Sequence, residues 1–191
     1  MRKKIGLALS GGAARGFAHL GVLKVLVEHN IPIDFVAGTS AGSVVGSAFA
    51  TGLSVENIIE LGKKMSWYKM AGLSYSTKGL LSNASMGDFF RKNYPFTKFE
   101  DLPIPFAAVA TDIESGEEVI LSEKGDLSSA VQASCAIPVI FKPIVHDGKQ
   151  LIDGGIVAAV PTGAVRTLGA EIVIAVDVIS CGATYWGTPT T

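Results

Sequence analysis

The stretch Phe35-Val36-Ala37-Gly38-Thr39-Ser40-Ala41-Gly42 passes from a short apolar run into small residues, and a helix-like run then continues to about Ala50. An apolar run bounded by glycine is typical of a buried β-strand, so the order strand, tight turn, helix is predicted. The preceding segment has the same order, because the apolar run Ile5–Leu9 meets Ser10-Gly11-Gly12 and residues 14–29 carry apolar side chains at helical spacing. Two such units in succession predict an α/β fold with a parallel sheet covered by helices.

The rest of the chain continues this pattern less regularly. Further helices are predicted at residues 55–64, 86–92, 127–135 and 161–168, and further strands at 106–111, 118–121, 144–145, 150–152 and 171–176. Ser54 and Asp126 are predicted to cap the helices at 55–64 and 127–135. Asp147-Gly148 predicts a hairpin between the two shortest strands, because Asp-Gly supplies the positive dihedral angles of a tight turn. The 191 residues contain no linker, repeat or charge run, so one domain is expected.

The composition excludes several classes of protein. Hydrophobic residues make up 48% of the chain and charged residues 17%, which excludes a disordered chain. The 16 basic and 17 acidic residues leave a net charge of -1, without the basic excess that nucleic-acid binding requires. Cys135 and Cys181 are too few and too far apart for a disulfide framework or a four-ligand zinc site, which favours a reducing compartment such as the cytoplasm.

Two segments have partial features of membrane or secreted proteins. Residues 35–55 carry no formal charge, but their four glycines and six hydroxyl side chains weaken the hydrophobicity that a transmembrane helix needs. The basic start Met1-Arg2-Lys3-Lys4 precedes only five apolar residues, which is shorter than the apolar region of a secretory signal. Neither a membrane span nor a signal peptide is therefore expected.

Gly38-Thr39-Ser40-Ala41-Gly42 has the G-x-S-x-G spacing of a nucleophile elbow. In that motif the small flanking residues, here Gly38 and Gly42, permit a sharp and strained turn that presents the serine hydroxyl at a helix N-terminus. Ser40 is therefore a candidate nucleophile. The alternative is that Ser40 only caps the helix that follows.

The loop Ser10-Gly11-Gly12-Ala13-Ala14-Arg15-Gly16 is expected to expose backbone N–H groups between a strand and a helix. Such groups stabilise an oxyanion in some enzymes and bind phosphate in other proteins. The loop lacks the Gly-Lys-Ser/Thr of a P-loop and the G-x-G-x-x-G of a dinucleotide site, which disfavours nucleotide binding. Arg15 would either attract an anionic part of a substrate or lock the loop by hydrogen bonding.

A serine nucleophile requires a base, and the strongest candidate is an aspartate. His19 and His29 fall on the first predicted helix and His146 lies beside the hairpin turn, settings that are typical of structural or solvated histidines. Asp153 follows a short strand and precedes Gly154-Gly155, which let the backbone pass close to another element. Burial would raise the basicity of an aspartate, so a two-residue Ser–Asp dyad is workable; the alternative for Asp153 is an Asx turn.

Taken together, three motifs resemble those of the patatin-like phospholipases, the plant tuber lipid acyl hydrolases and their bacterial relatives. They are Gly11-Gly12-Ala13-Ala14-Arg15-Gly16, Gly38-Thr39-Ser40-Ala41-Gly42 and Asp153-Gly154-Gly155. The connecting segments Ala110-Thr111-Asp112-Ile113 and Ala133-Ser134-Cys135-Ala136-Ile137-Pro138 resemble the bacterial branch of this family. The similarity covers about residues 4–177.

This resemblance implies a three-layer α/β fold with a central, mostly parallel sheet flanked by helices. It also implies a serine esterase that hydrolyses lipid acyl esters, as a phospholipase A, a lysophospholipase or a carboxylesterase. By motif match Ser40 would be the nucleophile and Asp153 the general base, and Gly11, Gly12 and Arg15 would belong to the oxyanion hole. No metal or cofactor is implied, and the expected partner is a lipid or acyl-ester substrate.

Two other functions remain open on the residues alone. One is an esterase of the α/β-hydrolase kind that uses His146 in a Ser–His–Asp triad. The other is a non-catalytic module that binds a lipid or a nucleotide through the glycine loop.

The sequence departs from the family pattern at two places. Many relatives carry an Asn where this chain has Ala159, so a hydrogen bond near Asp153 is expected to be missing. Relatives of this type also look longer than 191 residues, which suggests a catalytic domain truncated at its C-terminal end.

Residues 66–99 are rich in aromatic side chains and lie between the candidate nucleophile and the candidate base. Amphipathic aromatic residues favour membrane interfaces, so this segment is predicted to form part of an acyl-chain entrance that docks on lipid. The residues concerned are Trp67, Tyr68, Met70, Leu73 and Tyr75. The alternative is ordinary packing in the core, and the protein is expected in the cytoplasm with peripheral contact to a membrane.

Overall fold

The computed structural model describes residues 2–65 and 82–179. The strands are β1 (Ile5–Leu9), β2 (Phe35–Thr39), β3 (Phe106–Asp112), β4 (Glu118–Leu121), β5 (Ile144–His146), β6 (Lys149–Asp153) and β7 (Ile172–Val176). The α-helices are α1 (Phe17–Glu28), α2 (Ala41–Ala50), α3 (Val55–Lys64), α4 (Ala84–Asn93), α5 (Leu127–Ser134) and α6 (Thr162–Thr167). Short 3-10 helices occur at Ala13–Gly16, Phe99–Asp101 and Gly154–Ile156.

The strands form a mixed sheet with a parallel centre. Hydrogen-bonded neighbours follow the path β5-β6-β3-β2-β1-β7, and β4 also pairs with β3. Neighbours from β3 through β2 and β1 to β7 are parallel, whereas β4, β6 and β5 are joined by antiparallel pairings. The parallel centre confirms the α/β prediction made from the first two strand-turn-helix units.

Helices cover both faces of this sheet, and the side chains of β1 alternate between them. Leu7 and Leu9 point to the larger core, which contains buried residues of α1, α2, α3, α4 and α5. Ala8 points to a smaller core that includes Ala164 and Val165 of α6. Helices on one side, a sheet, and a helix on the other side make the three layers that the family resemblance implied.

Most predicted elements are present, with shifted boundaries. The predicted helix over residues 14–29 begins as a 3-10 helix and becomes α1 at Phe17. Strand β2 continues beyond the apolar run at residues 35–37, which was predicted as the strand, to Thr39. The extension occurs because Gly38 pairs with both neighbouring strands. The turn after β2 is therefore narrower than predicted and centres on Ser40.

The local turn and cap signals are also confirmed. Asp147 and Gly148 have φ angles of 48° and 78°, and they join β5 to β6 in the predicted hairpin. Ser54 accepts a hydrogen bond from the N–H of Asn57 at the start of α3. Asp126 accepts one from the N–H of Ser128, so it caps α5 as expected.

The aromatic segment offers only a partial comparison with prediction. Trp67, Tyr68, Met70, Leu73 and Tyr75, which were predicted to form an acyl-chain entrance, lie outside the described residues. Within residues 2–65 and 82–179, no helix combines the length and hydrophobicity that crossing a bilayer requires.

Candidate active site

The pairing of strands on β3 brings Ser40 and Asp153 together. Strand β2 pairs with the first half of β3 up to Val109, and β6 pairs with the second half from Ala110 onward. Ala108 and Val109 of β3 pair with both β2 and β4, and Ala110 and Thr111 pair with both β6 and β4. Strand β4 therefore lies on one edge of β3, and β2 and β6 share the other edge and run toward each other. Ser40 follows the last residue of β2 and Asp153 is the last residue of β6, so the two candidate residues meet where these strands end.

Ser40 occupies a strained turn between β2 and α2. Its φ and ψ angles are 51° and −120°, and residues with a side chain rarely adopt such a positive φ. The N–H of Ser40 donates a hydrogen bond of 2.8 Å to Oγ of Ser134, which in turn donates one of 2.6 Å to the carbonyl of Val109. Ser134 thus ties this turn to β3.

The two glycines of the elbow are required by close backbone contacts. A Cβ atom on Gly38 would overlap with the backbone of Gly42, and one on Gly42 would overlap with the carbonyl oxygen of Leu9. The helix that follows Ser40 therefore packs directly against the ends of β1 and β2. This is the steric reason for the small flanking residues in the G-x-S-x-G spacing.

Asp153 is 7% exposed and held at several points. Its N–H donates to the carbonyl of Ala136, its own carbonyl accepts from Oγ1 of Thr111, and its Oδ1 accepts a 2.8 Å hydrogen bond from the N–H of Gly155. Burial raises the pKa of the carboxyl group, and hydrogen bonds from the Ser40 side chain and the Gly155 N–H partly oppose that rise. The hydroxyl of Ser40 thus lies near enough to favour the ionised form of Asp153. The bond to Gly155 is also the Asx-type turn that was the alternative for Asp153, so the residue combines both features.

Cys135 lies behind this pair, in a position that sequence reasoning did not single out. Burial raises the pKa of its thiol to about 12, the charge of Asp153 raises it further, and hydrogen bonds from Ser43 and Ser40 oppose the change. The Sγ atom lies 3.7 Å from Oγ of Ser43. Cys135 is thus a buried, neutral thiol next to the candidate pair. The segment around Ser134 and Cys135 was noticed only as part of the family resemblance.

The glycine loop passes beside Ser40, and its amides differ in their partners. The N–H of Gly11 donates a hydrogen bond of 3.0 Å to the carbonyl of Ala159. Among the described residues, the N–H groups of Gly12 and Ala13 meet no acceptor, and both residues are accessible to solvent. A Cβ atom built on Gly11 would lie 3.6 Å from Cβ of Ser40. The loop therefore presents unpaired donors close to the serine.

Arg15 makes contacts that hold this loop in place. Its Nη1 donates to the carbonyls of Val178 at 3.5 Å and Ile179 at 3.1 Å, in the segment that follows β7. Val178 in turn packs against Gly12, where a Cβ would contact its Cγ2. These contacts correspond to the loop-locking alternative for Arg15.

The Ala158-Ala159 segment joins the other two motifs through its backbone. The carbonyl of Ala158 accepts a 2.8 Å hydrogen bond from Oγ1 of Thr39, and the carbonyl of Ala159 accepts the bond from Gly11. These contacts do not depend on the side chain at position 159. The loop and the elbow are therefore linked here although the Asn of many relatives is absent.

Among the described residues, none of the three histidines is hydrogen-bonded to Ser40 or Asp153. His146 is paired with Lys149 at the turn end of the hairpin, and Lys149 precedes Asp153 by a length of strand of about 13 Å. His29 is exposed at the end of α1, where Nδ1 contacts the carbonyl of Val25. His19 is buried with its Nε2 2.9 Å from the carbonyl of Ser10. The described residues also contain no group of three or more His, Cys, Asp or Glu side chains that could hold a metal ion.

An apolar cavity opens beside the site, between α1, α2, α3 and α4. It encloses about 530 Å³ of empty space, part of which is open to solvent. Its lining includes Ala13, which follows the free amide of Gly12, and Ala41, which follows Ser40. The remaining lining residues are Gly16, Phe17, Leu20, Val44, Val45, Ala48, Ile58, Leu61, Gly62, Met65, Phe89, Phe90 and Tyr94.

Comparison with known proteins identifies similar chains in bacteria and fungi. An uncharacterized NTE family protein of Mycobacterium tuberculosis is 36% identical over 177 residues, which are 91% of this chain and 49% of that protein. Lysophospholipase NTE1 of Scheffersomyces stipitis is 31% identical over 180 residues, which are 91% of this chain and 12% of that protein. The chain thus spans about half of the first relative and a much smaller part of the second.

The fold is also similar to that of a solved structure. VipD from Legionella pneumophila superimposes with a TM-score of 0.62 over 81% of this chain and 46% of that one, at 18% sequence identity. A sequence model of the family described as Patatin-like phospholipase matches residues 7–166, which include all three motifs. The chain belongs to the patatin-like phospholipase family.

Proposed function

We propose that this chain hydrolyses acyl esters of lipids, with Ser40 as the nucleophile and Asp153 as the general base. The observation that carries the proposal is that a serine in a strained strand-to-helix turn and a buried carboxyl group of raised pKa lie together where β2 and β6 end against β3. A raised pKa makes the ionised carboxylate a stronger base for a serine hydroxyl than an ordinary aspartate. Family membership and the lysophospholipase name of a relative support a lipid as the acyl donor.

The proposed reaction has two half-reactions. Asp153 takes the hydroxyl proton while Oγ of Ser40 attacks the ester carbonyl, and the amides of Gly12 and Ala13 donate to the oxyanion. The tetrahedral intermediate collapses, the alcohol leaves with the proton from Asp153, and the acyl group stays on Ser40. Asp153 then takes a proton from water as the water attacks the acyl-enzyme. When this second intermediate collapses, Asp153 gives the proton to Oγ of Ser40 and the fatty acid leaves.

Gly12 and Ala13 are proposed as donors because their amides are unpaired among the described residues, whereas the amide of Gly11 is bonded to Ala159. Gly11 instead links the loop to the Ala158-Ala159 segment through its N–H. Arg15 is proposed to support this oxyanion loop through its bonds to the segment after β7.

The apolar cavity supports an acyl chain as the group that the enzyme binds. Its lining is almost entirely hydrocarbon, which suits an acyl chain better than a polar group. Ala13 and Ala41 place its rim next to both the oxyanion donors and the nucleophile. The acyl chain is therefore proposed to lie between α1, α2, α3 and α4, with the carbonyl at Ser40.

The proposal includes contact with a membrane surface. It also assigns the protein to the cytoplasm. Exposed apolar side chains flank the site, including Phe17 after the glycine loop and Ile156 and Val157 after Asp153. Apolar groups at such a rim gain free energy on entering the interfacial region of a bilayer. Sedimentation with phosphatidylcholine liposomes should fall in Ile156→Ser plus Val157→Ser, and also in Trp67→Ala plus Tyr68→Ala if the aromatic segment takes part. Unchanged sedimentation of both double variants would remove the membrane contact from the proposal.

The central test combines labelling with hydrolysis. The protein should react covalently with a fluorophosphonate at Ser40 and should hydrolyse p-nitrophenyl butyrate and lysophosphatidylcholine. Ser40→Ala and Asp153→Asn should each lower kcat at least about a thousandfold, as removal of a nucleophile or base does in serine hydrolases.

His146→Gln is the matched control, because it separates the dyad from a Ser–His–Asp triad. Wild-type activity in His146→Gln together with loss in Asp153→Asn supports the dyad. Loss of activity in His146→Gln would favour the triad, and a folded protein that reacts with no fluorophosphonate would favour a binding module instead.

A further inference from the structure

Two fully buried polar residues, Ser10 and His19, lie directly beneath the glycine loop. Ser10 is the residue before Gly11, and His19 is on the first turn of α1, which follows the loop. Neither side chain is needed as a nucleophile or a base in the proposed reaction. Their hydrogen bonds, however, reach two successive peptide groups of the loop. One joins Ser10 to Gly11, and the other joins Gly11 to Gly12 and carries the unpaired Gly12 amide.

His19 acts on the first of these peptide groups. Its Nε2 lies 2.9 Å from the carbonyl oxygen of Ser10, and because a carbonyl only accepts, Nε2 must carry the hydrogen. Burial lowers the pKa of His19, which favours the neutral ring with Nδ1 unprotonated. Among the described residues Nδ1 has no partner, so the bond to Ser10 is the polar contact this ring makes there.

Ser10 acts on the second peptide group through its hydroxyl. Its Oγ accepts a 2.9 Å hydrogen bond from the N–H of Val178 and donates one of 2.8 Å to the carbonyl of Gly11. The single hydroxyl proton is thereby committed to Gly11. Its own N–H donates to the carbonyl of Val176, which fixes Ser10 at the end of β1.

Because a peptide group is planar, a hydrogen bond that fixes the direction of its C=O also fixes the direction of its N–H. In a trans peptide the C=O and the following N–H are coplanar and point in opposite directions. Holding the carbonyl of Ser10 through His19 therefore directs the N–H of Gly11 to Ala159, as observed. Holding the carbonyl of Gly11 through the Ser10 hydroxyl directs the N–H of Gly12 away from the interior, where it has no partner among the described residues.

We propose that Ser10 and His19 are positioning residues that aim the Gly12 amide at the oxyanion of the reacting ester. This inference rests on the proposed function, since it assigns the geometry of the same oxyanion hole. Neither residue touches the substrate: Ser10 orients the donor peptide, and His19 holds the peptide before it. Oxyanion stabilisation acts in the transition state, so their loss should lower kcat and leave KM nearly unchanged.

The first experiment compares Ser10→Ala with the wild type on p-nitrophenyl butyrate. We expect kcat to fall about 10- to 100-fold with KM unchanged, less than the complete loss of an oxyanion donor costs. Thr51→Ala is the control, because Thr51 is a buried hydroxyl bonded to the carbonyl of Ala48 at the other end of α2. It should lower the thermal midpoint while kcat stays at the wild-type value.

The second experiment uses His19, so that the test survives if Ser10→Ala does not fold. His19→Gln keeps an N–H donor of similar reach, whereas His19→Leu removes the donor and keeps an apolar group of similar size. We expect His19→Leu to lower kcat at constant KM and His19→Gln to recover most of that loss. A kcat that is equal in His19→Gln and His19→Leu, or unchanged in Ser10→Ala, would overturn the positioning roles.

Ser40→Ala separates this proposal from the function on which it rests. If Ser40→Ala retains wild-type hydrolysis, the proposed function itself is wrong. If hydrolysis depends on Ser40 while the Ser10 and His19 variants keep wild-type kcat, only the positioning roles fail.

Discussion

At the scale of single residues, the backbone strain of Ser40 needs a compensating contact. A residue with a side chain held at positive φ costs about 1–3 kcal/mol and persists only where its surroundings enforce it. The Oγ atom of Ser134 supplies one such constraint, because it accepts from the N–H of Ser40 and donates to the carbonyl of Val109. One buried hydroxyl thus joins the turn at Ser40 to β3.

Replacing Ser134 with alanine should therefore affect both stability and activity. The substitution leaves the N–H of Ser40 and the carbonyl of Val109 buried without this partner, which should lower the free energy of unfolding by about 2 kcal/mol. It should also lower kcat, because the turn that presents the nucleophile loosens. Urea denaturation and hydrolysis of p-nitrophenyl butyrate measure the two effects.

Ser128→Ala is the matched control for this prediction. Ser128 is also fully buried on α5, but among the described residues its Oγ has no hydrogen-bond partner. Its removal should leave the free energy of unfolding unchanged or slightly higher. Equal losses of stability in Ser128→Ala and Ser134→Ala would mean that the bridge to Ser40 contributes nothing.

The raised pKa of Asp153 predicts a shifted pH profile of activity. The carboxyl group must be ionised to accept the serine proton, so kcat/KM should rise with pH through its pKa. Because burial raises that pKa, the midpoint of the acid limb should lie above the value of about 4 of an ordinary aspartate. A kcat/KM profile on p-nitrophenyl butyrate measures it, and a midpoint at or below that value would contradict the assignment.

The same shift predicts that Asp153→Asn gains stability while it loses activity. A folded-state pKa above the unfolded value favours folding at low pH, and that contribution is lost as pH rises through the folded pKa. At neutral pH the wild type therefore carries a buried charge that the amide lacks. Thermal midpoints of Asp153→Asn should exceed those of the wild type at neutral pH, and the difference should shrink on acidification; a constant difference would argue against the ionised, buried carboxylate.

At the scale of elements, local sequence patterns predicted the strands but not their order. The runs Ile5–Leu9 and Phe106–Asp112 are apolar enough to be recognised, and Asp147-Gly148 marks the hairpin directly. Nothing local in β6 states that it shares an edge of β3 with β2, since that pairing joins residues far apart in the chain. The meeting of Ser40 with Asp153 was therefore accessible from the sequence only through the family resemblance.

Helix α2 offers a test of the apolar cavity as the acyl-chain site. Ala48 lines the cavity about 12 Å along α2 from Ser40, at the rise of about 1.5 Å per residue of an α-helix. Ala48→Leu fills space that only a long acyl chain reaches. We expect kcat/KM for a p-nitrophenyl palmitate to fall about tenfold relative to the butyrate.

Ala50→Leu controls for crowding of the same helix. Ala50 is buried on α2 but does not line the cavity, so its replacement overpacks the core without shortening the site. It should affect the two esters equally. A palmitate-to-butyrate ratio that is unchanged in Ala48→Leu, or lowered equally in both variants, would place the acyl chain elsewhere.

At the scale of the whole molecule, the backbone joins motifs that are far apart in sequence. The Ala158-Ala159 segment binds both the glycine loop through Gly11 and the elbow through Thr39. Backbone carbonyls carry these contacts, so no residue type signals them, and the predicted effect of Ala159 on a side-chain hydrogen bond concerned a different atom. Long-range backbone contacts of this kind explain why the motifs could be identified from the sequence but the pairing of the Gly11 amide with Ala159 could not.

The two ends of the sheet also differ in what their carboxylates do. Asp34 precedes β2 and Ser40 follows it, so they are separated by about 20 Å of extended chain. Asp34 pairs with Arg2, accepts from the N–H of Ile5 and pairs with Lys4, and these contacts hold its pKa well below the usual range. At one end of the sheet, the carboxyl group of lowered pKa holds residues 2–5 next to the start of β2. At the other end, the carboxyl group of raised pKa belongs to the candidate site.

This separation predicts that Asp34→Asn changes stability without changing the pH profile of activity. A folded-state pKa below the unfolded value stabilises the fold above the unfolded pKa of about 4, and the contribution is lost as pH falls toward the folded value. Thermal midpoints of Asp34→Asn should therefore be lower than those of the wild type at neutral pH and converge with them on acidification. Asp147→Asn, at an exposed turn of positive φ that asparagine also adopts, should change neither quantity. A stability difference that does not shrink as pH falls below the unfolded pKa would contradict the role of the ionised Asp34 carboxylate. A shifted acid limb of kcat/KM in Asp34→Asn would show that the two ends of the sheet do not act independently.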